Sequence, residues 1–114
     1  MIVVFGIKTC GSVQKALKFF KDHDIEVTFH DFKVTPVDEK TLLSWRKDVG
    51  TDLLLNTKGT TYKKLNLKEC VLNDDEKIGE MVKYNLLIKR PVITDGGKVV
   101  IVGYDEGKYQ TLFS

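Results

Sequence analysis

The hydrophobic period changes twice within the first thirty-odd residues, and that order of periods restricts the fold more than any other feature. Ile2, Val3, Val4 and Phe5 form a continuous apolar run rich in β-branched residues, the pattern of a strand buried on both faces. After a short loop at residues 6–12, apolar residues recur at Val13, Ala16, Leu17 and Phe20, with Lys15, Lys18 and Lys21 on the other face. That is the spacing of an amphipathic helix. Asp22-His23-Asp24 ends it, and Ile25, Val27 and Phe29 then alternate with Glu26, Thr28 and His30 as a half-buried strand does. A helix that connects neighbouring strands is a crossover, so these two strands are expected to run parallel.

The chain then changes character. Asp38 is placed to cap a helix carrying Leu42, Leu43 and Trp45, and Gly50 breaks that helix. Residues 52–56 read as a second short helix and residues 57–61 as a turn-rich connection. Ile78, Met81 and Val82 predict a helix over residues 73–84, with Asp74, Asp75 and Glu76 at its positive end. Strands return after Arg90-Pro91. Val92-Ile93-Thr94 and residues 99–102 flank Asp95-Gly96-Gly97-Lys98, a hairpin turn signal, and residues 105–113 form a closing helix. The order βαβ, helices, ββα predicts an α/β fold: a thioredoxin-like mixed sheet in a single domain over residues 1–114. Its core is expected at about 1–33 and 88–114, with a helical insertion at about 34–87.

Composition removes several function classes. A net charge of +2 gives no broad basic field for direct nucleic-acid binding. No apolar run approaches the roughly 18 residues of a membrane span, and the first residues lack the pattern of a signal peptide. His23 and His30 have no ligand partner at zinc spacing, so no metal site is expected. The two cysteines, Cys10 and Cys70, do not make a disulfide framework, and the expected location is a reducing cytosol.

Cys10 carries the chemistry. It sits where the first strand gives way to the first helix, and is expected in that helix's first turn. The unfilled N–H groups there favour a thiolate, and cysteines in such places titrate below the ordinary value of about 8.5. Lys8 is expected to add positive charge, Gly11 to let a bound group approach closely, and Ser12 to cap the helix or donate a hydrogen bond. Position 13 is Val13, so the pair of thiols in a Cys-x-x-Cys oxidoreductase is absent. The cycle must then be completed by an external thiol or, if the fold brings it near, by Cys70, which reads more readily as a small core residue. Tyr62, Tyr104 and Tyr109 fit either a substrate groove or ordinary packing.

Gly6-Ile7-Lys8-Thr9-Cys10, Leu54-Leu55-Asn56-Thr57-Lys58-Gly59-Thr60, Lys64-Leu65, Ile88-Lys89-Arg90-Pro91 and Val102-Gly103-Tyr104-Asp105 together resemble the ArsC/Spx family, in particular its YffB-like branch. The resemblance runs from Ile2 to about Phe113. It implies a thioredoxin-like fold with Cys10 as the redox cysteine, Pro91 as a cis-proline beside the thiol and Arg90 as the anion-binding arginine. A guanidinium suits that role because it presents paired donors. Family arsenate reductases use three arginines, and here Asn56 and Gly103 stand at the other two positions, with Lys58 nearby as a point charge only. Each lost charged hydrogen bond is worth about 1.5–3 kcal/mol, so arsenate reduction is not expected as the main activity. The resemblance implies instead a thiol reductase linked to glutathione or glutaredoxin, with no tightly bound cofactor. Its alternative is an Spx-like partner of the RNA polymerase α subunit, suggested by Gly50-Thr51-Asp52 and Val102-Gly103-Tyr104. With Val13 in place of a second cysteine, a redox switch of the Spx type cannot form.

Overall fold

A computed structural model describes all 114 residues. They divide into two compact units, one formed by Met1–Thr35 with Arg90–Ser114 and the other by Pro36–Lys89.

The first unit is built on a four-stranded mixed sheet of order β2-β1-β3-β4. Its strands are β1 (Ile2–Gly6), β2 (Val27–Asp31), β3 (Val92–Asp95) and β4 (Lys98–Val102), with helix α1 at Gly11–Asp22. β1 and β2 are parallel, and β1–β3 and β3–β4 are antiparallel. Gly96 and Gly97 both have positive φ (62° and 86°), the conformation a two-residue hairpin turn between right-twisted strands demands. The apolar stripe of α1 packs on the sheet. Val13, Ala16, Phe19 and Phe20 join Val4, Ile93 and Tyr109 in one buried cluster. At the closing end of β1 the approach is so close that a Cβ on Gly6 would collide with a methyl of Val13.

The closing helix of this unit, Glu106–Phe113, starts at Asp105, whose carboxylate accepts from the Lys108 N–H. It brings Tyr109 into the core, where the ring meets Phe19 and Phe113 edge-on with centroids 5.5 and 5.6 Å away. Such pairs add about 0.5–1.5 kcal/mol beyond simple burial.

The second unit contains α2 (Glu39–Val49), α3 (Thr51–Leu54), α4 (Thr60–Lys64) and α5 (Asp74–Lys83), with single 3-10 turns at Leu67–Glu69 and Asn85–Leu87. The closing helix Glu106–Phe113 is therefore α6. Asp38 caps α2 by accepting from the Thr41 N–H at 2.9 Å. Asn73 and Glu76 form a reciprocal capping box on α5. The helix α4 and the turn after it fall where sequence reading expects a turn-rich connection at 57–61 and no element beyond it. No residue of α4 is buried, so no apolar stripe announces it. No helix of the chain is long and apolar enough to cross a membrane.

Candidate functional site

Strand register assembles the site. Phe5 pairs with Val92 across the antiparallel β1–β3 ladder. The residues just before β3 therefore lie beside those just after β1, and Arg90 and Pro91 come to the loop that carries Cys10. The Arg90–Pro91 peptide is cis. On the far side of β3, Val92 pairs with Val102, and the Gly103 N–H donates to the Pro91 carbonyl at 2.7 Å. The Tyr109 hydroxyl then donates to the Gly103 carbonyl, also at 2.7 Å. One end of the sheet is thus tied together by the Cys10 loop, Pro91 and Gly103.

Cys10 is the N-cap of α1 and not part of its first turn, with extended backbone (φ −75°, ψ 125°). Its carbonyl already accepts from the Gln14 N–H at 3.0 Å, while its own N–H donates to Ile7 at 3.2 Å. The Gln14 side chain donates to the Lys8 carbonyl at 3.1 Å and pins the loop to the helix. The cap position turns the half-buried sulfur toward the unfilled N–H groups of the first turn. Burial is the largest single influence on the thiol and pushes its pKa up. The Val13 N–H, a hydrogen bond from Arg90, the Ser12 N–H and the charge of Arg90 together outweigh it, so the thiol is held below its ordinary value.

Each expected site residue can now be placed. Arg90 is half-buried and supplies the cation at the sulfur. Lys8 is exposed, and its backbone carbonyl rather than its ammonium is what the local structure uses. Ser12 is the second residue of α1, so it is not the cap; its backbone N–H faces the thiol. A Cβ on Gly11 would meet nothing within 4 Å, so this glycine relieves no clash and leaves the approach to the sulfur open. Gly103 has φ +90°, a conformation that disfavours an arginine there.

Asn56 and Lys58 belong to the other unit. The Asn56 side chain accepts from the Lys58 N–H at 3.3 Å, and its carbonyl accepts from the Gly59 N–H at 3.4 Å, so it shapes the turn before α4. Cys70 is exposed and is not a core residue, and its thiol donates to the Asn66 carbonyl at 3.7 Å. Tyr109 is fully buried and is excluded from any substrate groove.

Two parts of the site escaped sequence reading. The first-turn N–H groups are expected, but which of them bear on the thiol, those of Ser12 and Val13, is not, and Arg90 is expected as an anion binder and not as a partner of the thiol itself. The Tyr109–Gly103 bond, which spans six residues from a strand end into the closing helix, has no signal in the sequence.

What the arrangement offers is a sulfur at a helix start whose thiolate form is favoured by Arg90 and the first-turn N–H groups, although the Cys10 side chain makes no capping hydrogen bond. Comparisons with other proteins agree with this fold. The model of the ArsC family matches residues 5–112. A protein of Haemophilus influenzae, itself uncharacterised, is 40% identical over 117 aligned positions covering 100% of both chains. The global transcriptional regulator Spx of Staphylococcus aureus is 32% identical over 109 positions, 93% of this chain and 82% of the relative. Among solved structures, one described as YffB superposes with a TM-score of 0.92 at 31% identity, with full coverage of both chains.

Proposed function

Because the chain belongs to the ArsC family, we propose that it is a thiol reductase whose single nucleophile is Cys10 and whose resolving partner is glutathione or glutaredoxin. The observation that supports this reading is the lowered thiol at the N-cap of α1, held by the Val13 and Ser12 N–H groups and by Arg90. In the first step the Cys10 thiolate attacks one sulfur of an oxidised substrate disulfide, and the other sulfur leaves as a thiolate. In the second, a glutathione or glutaredoxin thiolate attacks the Cys10 sulfur and the substrate's sulfur leaves as a thiolate; a second thiolate then attacks the outer sulfur, releasing the Cys10 thiolate and an external disulfide. No bound cofactor takes part, since the two electrons come from two external thiol equivalents that end as a disulfide. Arg90 holds an anionic group of the incoming molecule, such as a glutathione carboxylate, through its planar fork. With Gly103 at one position where family arsenate reductases carry arginine, a doubly charged oxyanion has fewer cationic donors at the thiol.

Intact-mass measurement after incubation with oxidised glutathione tests the reading. One glutathione adduct is expected on wild type and on Cys70→Ser, and none on Cys10→Ser. Alkylation rate against pH should show a midpoint below that of an ordinary cysteine, moved upward in Arg90→Gln. An ordinary midpoint together with no adduct would sink the proposal. Linkage supplies a second readout. A thiol whose pKa is lowered by folding contributes stability that is fully present above the unfolded value of about 8.5 and lost as pH falls through the folded value. The stability difference between wild type and Cys10→Ser should therefore rise with pH across that window.

A second reading, an Spx-like partner of the RNA polymerase α subunit, is favoured by the identity to Spx over most of the chain. Gly50 (φ +86°) and the exposed Asp52 at the start of α3 offer its contact surface. Pull-down with the α subunit separates the readings: retention that persists in Cys10→Ser favours the partner, and no retention in either form removes it.

A further inference from the structure

Charge in the second unit is segregated along the chain. From Thr57 to Lys68 every charged residue is a lysine (Lys58, Lys63, Lys64 and Lys68), whereas Glu69, Asp74, Asp75, Glu76 and Glu80 follow with Lys77 as the one cation among them. Of these acids Asp75 is partnered, by Arg46 at 2.8 Å, and the cation Lys77 is held by Asp52 at 3.0 Å. The four lysines take part in none of the ion pairs of the molecule. Three of them, Lys58, Lys63 and Lys68, line one hollow of about 700 Å³ together with Tyr62, and Glu69 is the only acid on its wall. Tyr62 also lines a second hollow of about 310 Å³, walled mainly by Leu55, Leu67, Val71 and Leu72, with Cys70 and the Asp52-paired Lys77 at its wall as well. Val71 is 99% exposed, an unusual position for a β-branched apolar side chain beside an apolar hollow.

We propose that the cationic and apolar hollows that meet at Tyr62 form one docking groove for a short segment of a partner protein, in which acidic residues are followed by an aliphatic one. The lysines match the acidic part by charge, the Leu55–Leu67–Val71 side takes the aliphatic part, and Tyr62 lies against both. Both hollows are open clefts, a shape that suits a segment lying along the surface better than a small molecule that needs most of its area enclosed. A nucleic-acid backbone is disfavoured because Glu69 lies in the groove wall and the acidic start of α5 follows closely in sequence, where phosphates would be repelled. The groove is independent of the thiol chemistry proposed for Cys10.

Fluorescence anisotropy on the full chain tests this, with a labelled synthetic peptide made of a run of glutamates followed by leucines. Saturable binding is expected, weakened about tenfold in Lys63→Glu/Lys68→Glu, the effect of reversing two exposed charges in one groove. Tyr62→Ala and a peptide with serine in place of leucine should each weaken binding as well, and Cys10→Ser should bind as wild type does. Circular dichroism checks that the exposed substitutions leave the fold intact. The proposal is overturned if wild type does not bind the peptide or binds a glutamine-for-glutamate version equally well. A labelled DNA strand binding more tightly than the peptide would overturn it too, and would assign the groove to nucleic acid.

Discussion

In the unit that carries Cys10, order comes from residues distant in sequence. Ile2 pairs with Asp95 and Phe5 with Val92, joining the two ends of the chain, and Phe20, Ile93 and Tyr109 meet in one cluster from three separate elements. In Pro36–Lys89 the helix ends are fixed locally, although hydrogen bonds between Val37 and Asn85 and the Leu55–Ile88 bridge also join residues distant in sequence. Asp38 caps its own helix through Thr41, Asn73 and Glu76 cap theirs, and Asn56 folds the turn that holds Lys58 and Gly59. The difference bears on function. A reactive thiol needs its donors held in one geometry, and a sheet register closed from both sides supplies that. A groove for a flexible segment needs only a surface of the right charge and shape.

The largest expected effect tests the long-range half. Phe20 is fully buried and has aromatic neighbours at 5.7 Å (Phe19), 5.8 Å (Tyr109) and 4.9 Å (Phe113). Phe20→Ala should lower unfolding free energy by about 3–5 kcal/mol in a urea titration, since it removes the ring and leaves a cavity among stiff neighbours. A loss below about 1 kcal/mol would mean that α1 can collapse onto the sheet, and the contrast with the locally ordered half would fail.

A pair of glycines sharpens the contrast. A Cβ at Gly6 meets a methyl of buried, β-branched Val13, which has little freedom to move. At Gly59 the obstacle is the side-chain amide of Asn56, 2.7 Å away, the far end of a group that can rotate. Gly6→Ala should cost about 1–3 kcal/mol, as overpacking of a filled core does. Gly59→Ala should cost no more than about the one neutral hydrogen bond that Asn56 gives up, about 1 kcal/mol. Val13 also presents one of the N–H groups that hold the Cys10 thiolate, so Gly6→Ala should raise the pH midpoint of thiol alkylation, and Gly59→Ala should leave it alone. Adding Val13→Ala to Gly6→Ala should recover part of the lost stability. An unchanged alkylation midpoint in Gly6→Ala would separate packing at Gly6 from the chemistry at Cys10.

Those two glycines also indicate what could be read in advance. Strands β1, β3 and β4, the helix α1 and the Gly96-Gly97 turn were legible because periodicity and turn chemistry are local signals. The helix α4 was not, because a five-residue helix with no buried face has no period to detect. The position of Cys10 was legible from the strand-to-helix change, to within one residue. Its donors were less so: Arg90 stands far along the chain and reaches the thiol only through the β1–β3 register, which pattern alone leaves open, and was inferred by resemblance to a family. Expecting the cation at Lys8, close in sequence, missed that tertiary pairing outranks sequence proximity. The tyrosines could not be sorted by type. Tyr109 differs from Tyr62 only in where the chain places it, one buried with its hydroxyl on Gly103 and the other on the surface of a groove.

A smaller effect tests the local half. The Asn73 side chain accepts from the Glu76 N–H at 2.8 Å, and the Glu76 carboxylate returns the bond by accepting from the Asn73 N–H at 3.0 Å. Asn73→Ala should cost about 1 kcal/mol in thermal or urea unfolding, the ordinary loss of a helix cap. Asn73→Asp should retain most of it, because an aspartate accepts the same N–H and suits the positive end of α5. Amide exchange should report the damage in the first turn of α5 and leave β1 and β3 protected. Exchange that rises equally in both units would mean that the cap governs global unfolding and not its own helix end alone.

The smallest effect is expected where two local features meet. Arg46 lies in the last turn of α2 and Asp75 in the first turn of α5, and their side chains pair at 2.8 Å, with Asp75 85% exposed. Each charge already suits its own helix end, cation at the C-terminus and anion at the N-terminus. Single replacements, Arg46→Gln and Asp75→Asn, should therefore each cost more than the coupling between them. A double-mutant cycle should give a coupling of less than about 1 kcal/mol, falling further as salt is raised, because exposed pairs are hydrated and screened. A coupling that is large and insensitive to salt would make this pair a tertiary clamp between α2 and α5. The second unit would then owe more of its order to contacts distant in sequence than its Val37–Asn85 and Leu55–Ile88 contacts already supply.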